Sequence, residues 1–289
     1  MIKVTNLCKS YPTFKLDNVS FELPKGYIMG FLGMNGAGKT TTLKSILNIV
    51  KPDSGAVEIL GQDFANNEIA LKKKIGFSLG EADYYQKSKI KKITDVYKRF
   101  FDNWNEDEYQ KFIKRFDINE SKNISELSTG MRVKYALALA LSHNAELYIF
   151  DEPTSGLDPI ARDEMLDLFH EIIEDGDKSI LFSTHITSDL DKCADFVLLI
   201  KNGKIIANTT KDDLVLNHLL ISGKKEQLTE QIKHKCIGYK ISSYNFTGLL
   251  LKKDFDFTGD FVTETPNLED IMIYYNKGAN VWKICYTRN

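Results

Sequence analysis

The chain has 289 residues, of which 43% are hydrophobic, and its formal net charge is −2. This length allows one large domain or a domain with an appendage, and the near-zero charge argues against a nucleic-acid-binding protein. No apolar run approaches the roughly 20 residues that span a bilayer, and the scattered cysteines lack the C-x-x-C spacing of metal or redox sites. We therefore expect a protein of the reducing cytoplasm that reaches a membrane only through a partner chain.

The first 30 residues alternate between apolar and polar side chains. This period predicts two strands of a mostly antiparallel subdomain, joined by a turn near Pro12. Another strand is predicted at 56–60, between Gly55 and Gly61, because glycines often punctuate the ends of strands.

Residues 33–40 lie between a short apolar strand and a helix-forming segment, and they match the phosphate-binding P-loop pattern G-x-x-x-x-G-K-[ST]. Glycines let successive backbone N–H groups turn toward a phosphate, and the helix N-terminus adds a positive dipole. Lys39 is expected to reach the β- and γ-phosphates of ATP, and the hydroxyl of Thr40 is expected to hold Mg²⁺. The alternative is a glycine turn without a ligand, which the strand, loop and helix order disfavours. The expected nucleotide-binding residues are Gly33, Asn35, Gly36, Ala37, Gly38, Lys39, Thr40 and Thr41.

A helical period runs from about residue 88 to 142, between segments that read as strands. It contains two predicted apolar stripes, one of Val96, Phe100 and Phe101 and one of Tyr109, Phe112, Ile113 and Phe116. The alternation of strands and helices predicts an α/β domain with a helical insertion at about 82–142.

The apolar run 147–150 reads as a buried parallel strand, and Asp151 and Glu152 follow it directly. Acids at the carboxyl end of such a strand lie where α/β sheets bind ligands. Asp151 is expected to hold Mg²⁺, and Glu152 to orient and deprotonate the attacking water. Alone, the pair would also suit a strand end and a helix cap. Together with the P-loop it indicates ATP hydrolysis.

Beyond about residue 207 the pattern changes to short strands near 219–221, 239–241 and 249–251. Helices are predicted over Lys224–Lys235 and Asn267–Asn276, with Asn267 as the N-cap of the second. We predict an ATPase domain over 1–207 and a small α+β accessory domain over 208–289.

Three further motifs follow in order. Leu127–Met131 resembles Leu-Ser-Gly-Gly-Gln, the signature motif of ATP-binding-cassette (ABC) ATPases, and Ser155–Asp158 resembles their D-loop. Ser183, Thr184 and His185 resemble the strand end that carries the switch histidine. The ordered set covers residues 1 to about 207, and the chain resembles the ATPase subunit of an ABC transporter.

This resemblance implies a P-loop NTPase fold of the ABC type, with ATP and Mg²⁺ as cofactors. Glu152, His185 and Lys39 would carry catalysis. Tyr11 would stack on adenine, although packing is the alternative for a single aromatic near a turn. Ser128, Gly130 and Asp158 would act on the nucleotide of a second copy of the chain.

Two motifs depart from the family pattern. Thr129 replaces a glycine and Met131 a glutamine in the signature. The glutamine of the Q-loop falls on Gly80, so we take Glu81 as its substitute near the metal.

Within the family, bacterial exporter ATPases such as those of phenol-soluble-modulin exporters are similar to this chain at 103–104, 127–131, 183–190 and 266–272. Such a subunit implies a separate transmembrane permease as partner, a place at the cytoplasmic face of the plasma membrane and no nucleic acid. The cargo would be a peptide, a toxin or a drug-like molecule. Glu81, Tyr84 and Tyr85 with the first apolar stripe would receive a helix of the permease, although packing of the two tyrosines inside the insertion is the alternative. An importer ATPase or a non-transport ABC ATPase that acts on nucleic acid or the ribosome remains the alternative.

Overall fold

The computed structural model describes residues 1–79 and 86–277. The predicted Gly80, Glu81, Tyr84 and Tyr85 positions lie outside the described residues. Within those two ranges the chain forms three β-sheets and ten α-helices.

The first sheet is antiparallel and has the order β2-β1-β4-β5. Its strands are β1 (Ile2–Tyr11), β2 (Phe14–Leu23), β4 (Ser54–Ile59) and β5 (Gln62–Asp63). The register pairs Ile2 with Leu23 and Tyr11 with Phe14, so Pro12 lies in the tight turn that the sequence predicted. Ile2 and Val4 of β1 are buried on alternate positions, and the next buried residue is Leu7, because the register shifts between Val4 and Leu7.

The second sheet has six strands in the order β10-β9-β3-β8-β7-β6. They are β3 (Ile28–Leu32), β6 (Ile75–Leu79), β7 (Leu147–Asp151), β8 (Ser179–Thr184), β9 (Phe196–Lys201) and β10 (Lys204–Thr210). All neighbours pair in parallel except β10 and β9. Because Leu32 pairs with Thr184 and Asp151 with Ser183, three motif-bearing strands end at one edge of this sheet.

The third sheet has the order β12-β13-β11-β14. Its strands are β11 (His218–Lys224), β12 (Gly238–Ile241), β13 (Asn245–Leu251) and β14 (Val262–Glu264).

Helices cover the faces of these sheets. They are α1 (Lys39–Ile46), α2 (Glu68–Lys72), α3 (Ile90–Tyr97), α4 (Glu106–Arg115), α5 (Thr129–Leu141), α6 (Pro159–Ile173), α7 (Thr187–Cys193), α8 (Lys211–Leu216), α9 (Glu230–Lys235) and α10 (Leu268–Lys277).

Helices α3, α4 and α5 lie within the range predicted as the helical insertion. A buried cluster of hydroxyls joins them: Thr94 Oγ1 lies 2.8 Å from the hydroxyl of Tyr109 and 3.0 Å from that of Tyr135. The second apolar stripe is buried as predicted. In the first stripe, however, Val96 and Phe100 are exposed, so this stripe forms a surface of the insertion.

The accessory segment differs from its prediction in one helix. The predicted helix over Lys224–Lys235 is wrong in its first half, where 225–227 form a single 3₁₀ turn. The α-helix begins only after Thr229, whose hydroxyl accepts a hydrogen bond from the Ile232 N–H at 3.3 Å. A threonine cap of this kind starts a helix and separates it from the preceding residues.

The accessory segment packs directly on the six-stranded sheet. Residues of α10 share one hydrophobic core with Val197 of β9, and the expected domain boundary at residue 207 falls inside β10. Lys201 Nζ donates a hydrogen bond to the Tyr275 carbonyl at 2.7 Å, and the Tyr275 hydroxyl lies 2.9 Å from His218 Nε2.

Candidate functional site

The P-loop connects β3 to α1 and has the backbone that its glycines allow. Gly36 and Gly38 have φ angles of 77° and 116°, in the left-handed region that favours glycine. A Cβ atom at Gly33 would lie 2.8 Å from the Ile200 carbonyl oxygen, so the loop also runs close to β9. The loop is therefore held in one shape by glycine and by its neighbour strand.

Lys39 lies at the centre of this loop. Its side chain is buried, and its ammonium donates a hydrogen bond to the Gly33 carbonyl at 2.7 Å. The same ammonium lies 3.1 Å from Glu152 Oε1. The buried charge of Lys39 is thus paired with the acid at the end of β7.

Asp151 contacts two hydroxyls at the edge of the sheet. Thr40 Oγ1 donates to Asp151 Oδ2 at 2.6 Å, and the hydroxyl of Ser183 donates to Oδ1. The described residues contain no group of three or more His, Cys, Asp or Glu side chains that would hold a metal alone. A magnesium ion that accompanies a nucleotide does not need one, because phosphates and water supply most of its oxygen ligands. The hydroxyl of Thr40 and the carboxylate of Asp151 fit such an ion.

Glu152 stands between Lys39 and His185. Its Oε2 lies 2.8 Å from His185 Nδ1, and its N–H donates to Ser183 Oγ at 3.0 Å. The φ angle of Glu152 is 52°, which is uncommon for a residue other than glycine. Backbone strain of this kind is found at functional sites, where the surrounding structure holds it in place.

Lys39, Thr40, Glu152 and His185 open onto one cleft of about 820 Å³, whereas the buried Asp151 is not among the residues that line it. It is lined by Tyr11, Pro12, Thr13, Phe14, Met34, Asn35, Gly36, Gly38, Lys39, Thr40, Thr41, Glu152, Ser155 and His185. Tyr11 is partly exposed at its rim, with Lys9 Nζ 5.9 Å from the centre of its ring. Phe14, on the other side of the Pro12 turn, also lines the cleft, although the sequence analysis does not predict it as a site residue. Its position directly after the turn that follows Tyr11 is the signal that could have identified it.

Ser128, Gly130 and Asp158 are not among the residues that line this cleft. Ser128 caps α5 through a hydrogen bond from the Met131 N–H at 3.2 Å, and Asp158 caps α6 through bonds from Ile160 and Ala161 at 3.0 Å. A Cβ atom at Gly130 would lie 3.2 Å from the Gly156 carbonyl oxygen, so the two loops are neighbours. They form a second, exposed group of motif residues on the surface.

Known proteins match both the sequence and the fold. The family described as ABC transporter matches residues 16–155. The bacitracin transport ATP-binding protein of Bacillus licheniformis is 32% identical over 264 residues, which cover 89% of this chain and 80% of that protein. The lantibiotic transport ATP-binding protein of Streptococcus pyogenes is 30% identical over 73% of this chain and 92% of its own length.

Solved structures agree with these relatives. The structure of an ATP-binding subunit of an ABC transporter has a TM-score of 0.67 and 27% identity, and it covers 74% of this chain and 91% of that one. A dimeric ATP-binding cassette with bound ADP and Pi has a TM-score of 0.65 and 20% identity, and the match covers 73% of this chain and 98% of that one. At this identity the match shows a common fold. The predicted α/β fold of the ABC type is thereby confirmed. The chain belongs to the ABC transporter family, as a subunit that binds and hydrolyses ATP.

Proposed function

We propose that this chain is the ATP-hydrolysing subunit of an exporter that moves a peptide through a separate transmembrane permease. The observation that carries the proposal is the 32% identity to the bacitracin transport ATP-binding protein, since it extends over 89% of this chain and 80% of that protein. The lantibiotic transport relative supports the same class of cargo.

ATP would bind in the cleft of the P-loop. The backbone N–H groups of the loop and the Lys39 ammonium would hold the phosphates, and the ring of Tyr11 would stack on adenine. Thr40 and Asp151 would hold Mg²⁺, which would neutralise phosphate charge when bound. The arrival of the phosphates would give Lys39 a new anionic partner and release Oε1 of Glu152 from its ion pair.

Glu152 would then act as the general base. A carboxylate released from a lysine and still in contact with His185 can accept a proton from a water molecule in the cleft. The imidazole of His185 would donate a hydrogen bond to the phosphoryl group and stabilise its charge. Phosphoryl transfer depends mostly on positioning and electrostatics, and these residues supply both.

A second copy of the chain would complete each site. Ser128 and Asp158 are exposed and do not line the cleft of their own chain, and Ile160 beside Asp158 is 74% exposed. A copy related by twofold symmetry would cover this face and place Ser128, Gly130 and Asp158 against the partner's nucleotide. Export would follow from ATP-driven closure of the dimer, because ATP binds the closed state more tightly.

The permease would hold the chain at the cytoplasmic face of the membrane. Among the described residues, no helix is long and apolar enough to cross a bilayer. The exposed Val96 and Phe100 on the helical insertion would contact a helix of the permease, since exposed apolar side chains are common at interfaces.

The test is co-expression with the membrane protein encoded beside this chain. We expect the two to copurify, and we expect cells with both to resist and expel bacitracin or a lantibiotic only when Glu152 is intact. A chain that hydrolyses ATP but binds no membrane protein would instead favour the non-transport alternative. ATP-driven uptake in vesicles would favour an importer.

A further inference from the structure

A buried carboxylate lies behind the site, at the start of α7. Asp189 is excluded from solvent, yet its carboxylate accepts three hydrogen bonds. Thr154 Oγ1 donates to its Oδ2 at 2.7 Å, Thr184 Oγ1 donates to the same oxygen at 3.2 Å, and the guanidinium of Arg162 donates to Oδ1. A buried charge is stable only when it is paired and hydrogen-bonded, so Asp189 constrains its partners as much as they stabilise it.

Two of these partners adjoin the catalytic groups. Thr154 belongs to the loop that follows Glu152, where the Ser155 N–H donates to the Glu152 carbonyl at 3.1 Å. Thr184 precedes His185, and its hydroxyl also accepts a hydrogen bond from the Ile186 N–H at 3.0 Å. The Asp189 carboxylate therefore fixes the backbone beside both ends of the Glu152–His185 contact.

The third partner, Arg162, lies in the first turn of α6, directly after the loop that carries Asp158. The Arg162 N–H donates to the Asp158 carbonyl at 2.9 Å in the first turn of α6, and its guanidinium also donates to Ser188 Oγ at 2.8 Å. The start of α6 is thus attached to the start of α7 through one ion pair. Displacement of the Asp158 loop would therefore move Arg162 and, through it, the Asp189 carboxylate that accepts the hydrogen bond from Thr184.

We propose that Asp189 is a positioning residue for ATP hydrolysis. It fixes the positions of Glu152 and His185 relative to the Asp158 loop. The inference rests on the proposed function. Asp189 touches no nucleotide and acts through Thr154, Thr184 and Arg162. Its loss should leave the P-loop contacts intact, so it should lower kcat and spare the KM for ATP.

The experiment compares steady-state ATP hydrolysis by the full chain and its Asp189→Asn variant. We expect kcat to fall about tenfold to a hundredfold, the cost of a misplacement of the order of 1 Å, with the KM for ATP changed by no more than about twofold. The matched control is Glu171→Gln, which breaks the Arg115–Glu171 ion pair (2.6 and 3.0 Å) at the far end of α6, the helix of Arg162. That control should keep the parent's kcat.

Two milder variants serve if Asp189→Asn does not fold. Thr154→Val and Thr184→Val each remove one hydroxyl, and each should lower kcat at unchanged KM. Effects of Asp189→Asn and Arg162→Gln should also be non-additive, because the two residues share one contact. The proposal is overturned by a folded Asp189→Asn chain with the parent's kcat, by parental kcat in both threonine variants, or by additivity of the pair. A parent chain without ATP hydrolysis would count against the proposed function instead.

Discussion

His185 Nδ1 lies 2.8 Å from Glu152 Oε2, while the other carboxylate oxygen of Glu152 lies 3.1 Å from Lys39 Nζ. One acid thus joins a histidine at the end of β8 to a lysine of the P-loop. Any change in one of these three side chains alters the surroundings of the other two, so their variants need separate readouts of binding and of turnover.

Replacement of Glu152 by Gln should separate ATP binding from ATP hydrolysis. The amide keeps the shape of the carboxylate but cannot accept the proton, so turnover should fall by about a hundredfold or more while ATP stays bound and a dimer accumulates. Hydrolysis and gel filtration with ATP measure both effects. Glu146→Gln, at the opposite end of β7 and partly exposed, is the control and should behave as the parent. Undiminished turnover of Glu152→Gln would disprove the assigned role.

Replacement of His185 by Ala should lower the rate of ATP hydrolysis less than Glu152→Gln does, because orientation rather than proton transfer is lost. The same hydrolysis measurement checks this order.

Replacement of Lys39 by Ala should weaken nucleotide binding. The ammonium would meet the phosphates directly, and loss of a charge-assisted hydrogen bond costs roughly 1.5–3 kcal/mol, or about tenfold or more in affinity. Titration with a fluorescent ATP analogue measures the change. Lys44→Ala, in the last turn of α1, removes the same charge away from the loop and should bind as the parent does. Equal affinity of the Lys39→Ala chain would mean that the nucleotide does not bind here.

Mixing two inactive variants should restore activity if each site is shared by two copies. Lys39→Ala damages the P-loop, and Ser128→Arg damages the exposed signature. In a mixed dimer, one site carries both defects and the other carries neither. We expect ATP hydrolysis to reappear on mixing, up to one intact site per dimer. Absence of rescue, with heterodimers shown by a tag on one chain, would count against action in trans.

The exposed side chains Val96 and Phe100 should matter for transport rather than for basal hydrolysis. Phe100→Ala and Val96→Ser remove apolar surface without touching the core, since both residues are at least half exposed. We expect unchanged ATP hydrolysis by the isolated chain and weaker copurification with the permease. Ile69→Ser is the control, because Ile69 is 81% exposed on α2, outside the insertion. Normal assembly and transport by both test variants would place the contact elsewhere, for instance at Tyr84 and Tyr85.

Acid should destabilise the fold through His143. This residue is fully buried with its ring centre 3.9 Å from that of Phe101, and burial lowers its pKa from 6.5 to about 4. The unfolded chain therefore binds a proton that the folded chain does not, so stability is full above pH 6.5 and is lost as the pH falls toward 4. The loss from this residue between pH 7 and pH 5 is about 2 kcal/mol.

Urea unfolding of the parent and of a His143→Met chain at the two pH values measures this contribution. The methionine chain should lose less stability on acidification. His218, whose pKa is also lowered by burial, stays in both chains and accounts for part of the remaining slope. Equal losses in parent and variant would exclude His143 as the source.

Strands and helices with strong local signals were predictable from sequence. β7 begins at Leu147, where the apolar run 147–150 indicates, because a strand buried on both faces needs such a run. The start of α10 follows its cap, since the Asp270 N–H donates to Asn267 Oδ1 at 2.8 Å. The helix predicted over Lys224–Lys235 is longer than the observed one, because the charged residues at its start also suit a helix. The Thr229 cap fixes where the helix begins.

The contacts between distant segments were not predictable from the sequence. Asp189 and Thr154 are 35 residues apart, and no local period indicates that they touch. The same holds for Phe14, whose position in the cleft depends on how the first sheet packs against the P-loop. Motifs identify the groups that carry chemistry, but the sheet order decides which other residues surround them.

The attachment of Tyr275 to Lys201 has a genetic consequence. Because α10 shares its core with β9, the strand that backs the P-loop, a premature stop codon shortly before α10 would uncover apolar side chains of the nucleotide-binding half. Such a truncated product would become a target of cellular proteases even though every motif for ATP remained in it. Nonsense mutations late in the gene would therefore behave as null alleles, as lesions in the P-loop would.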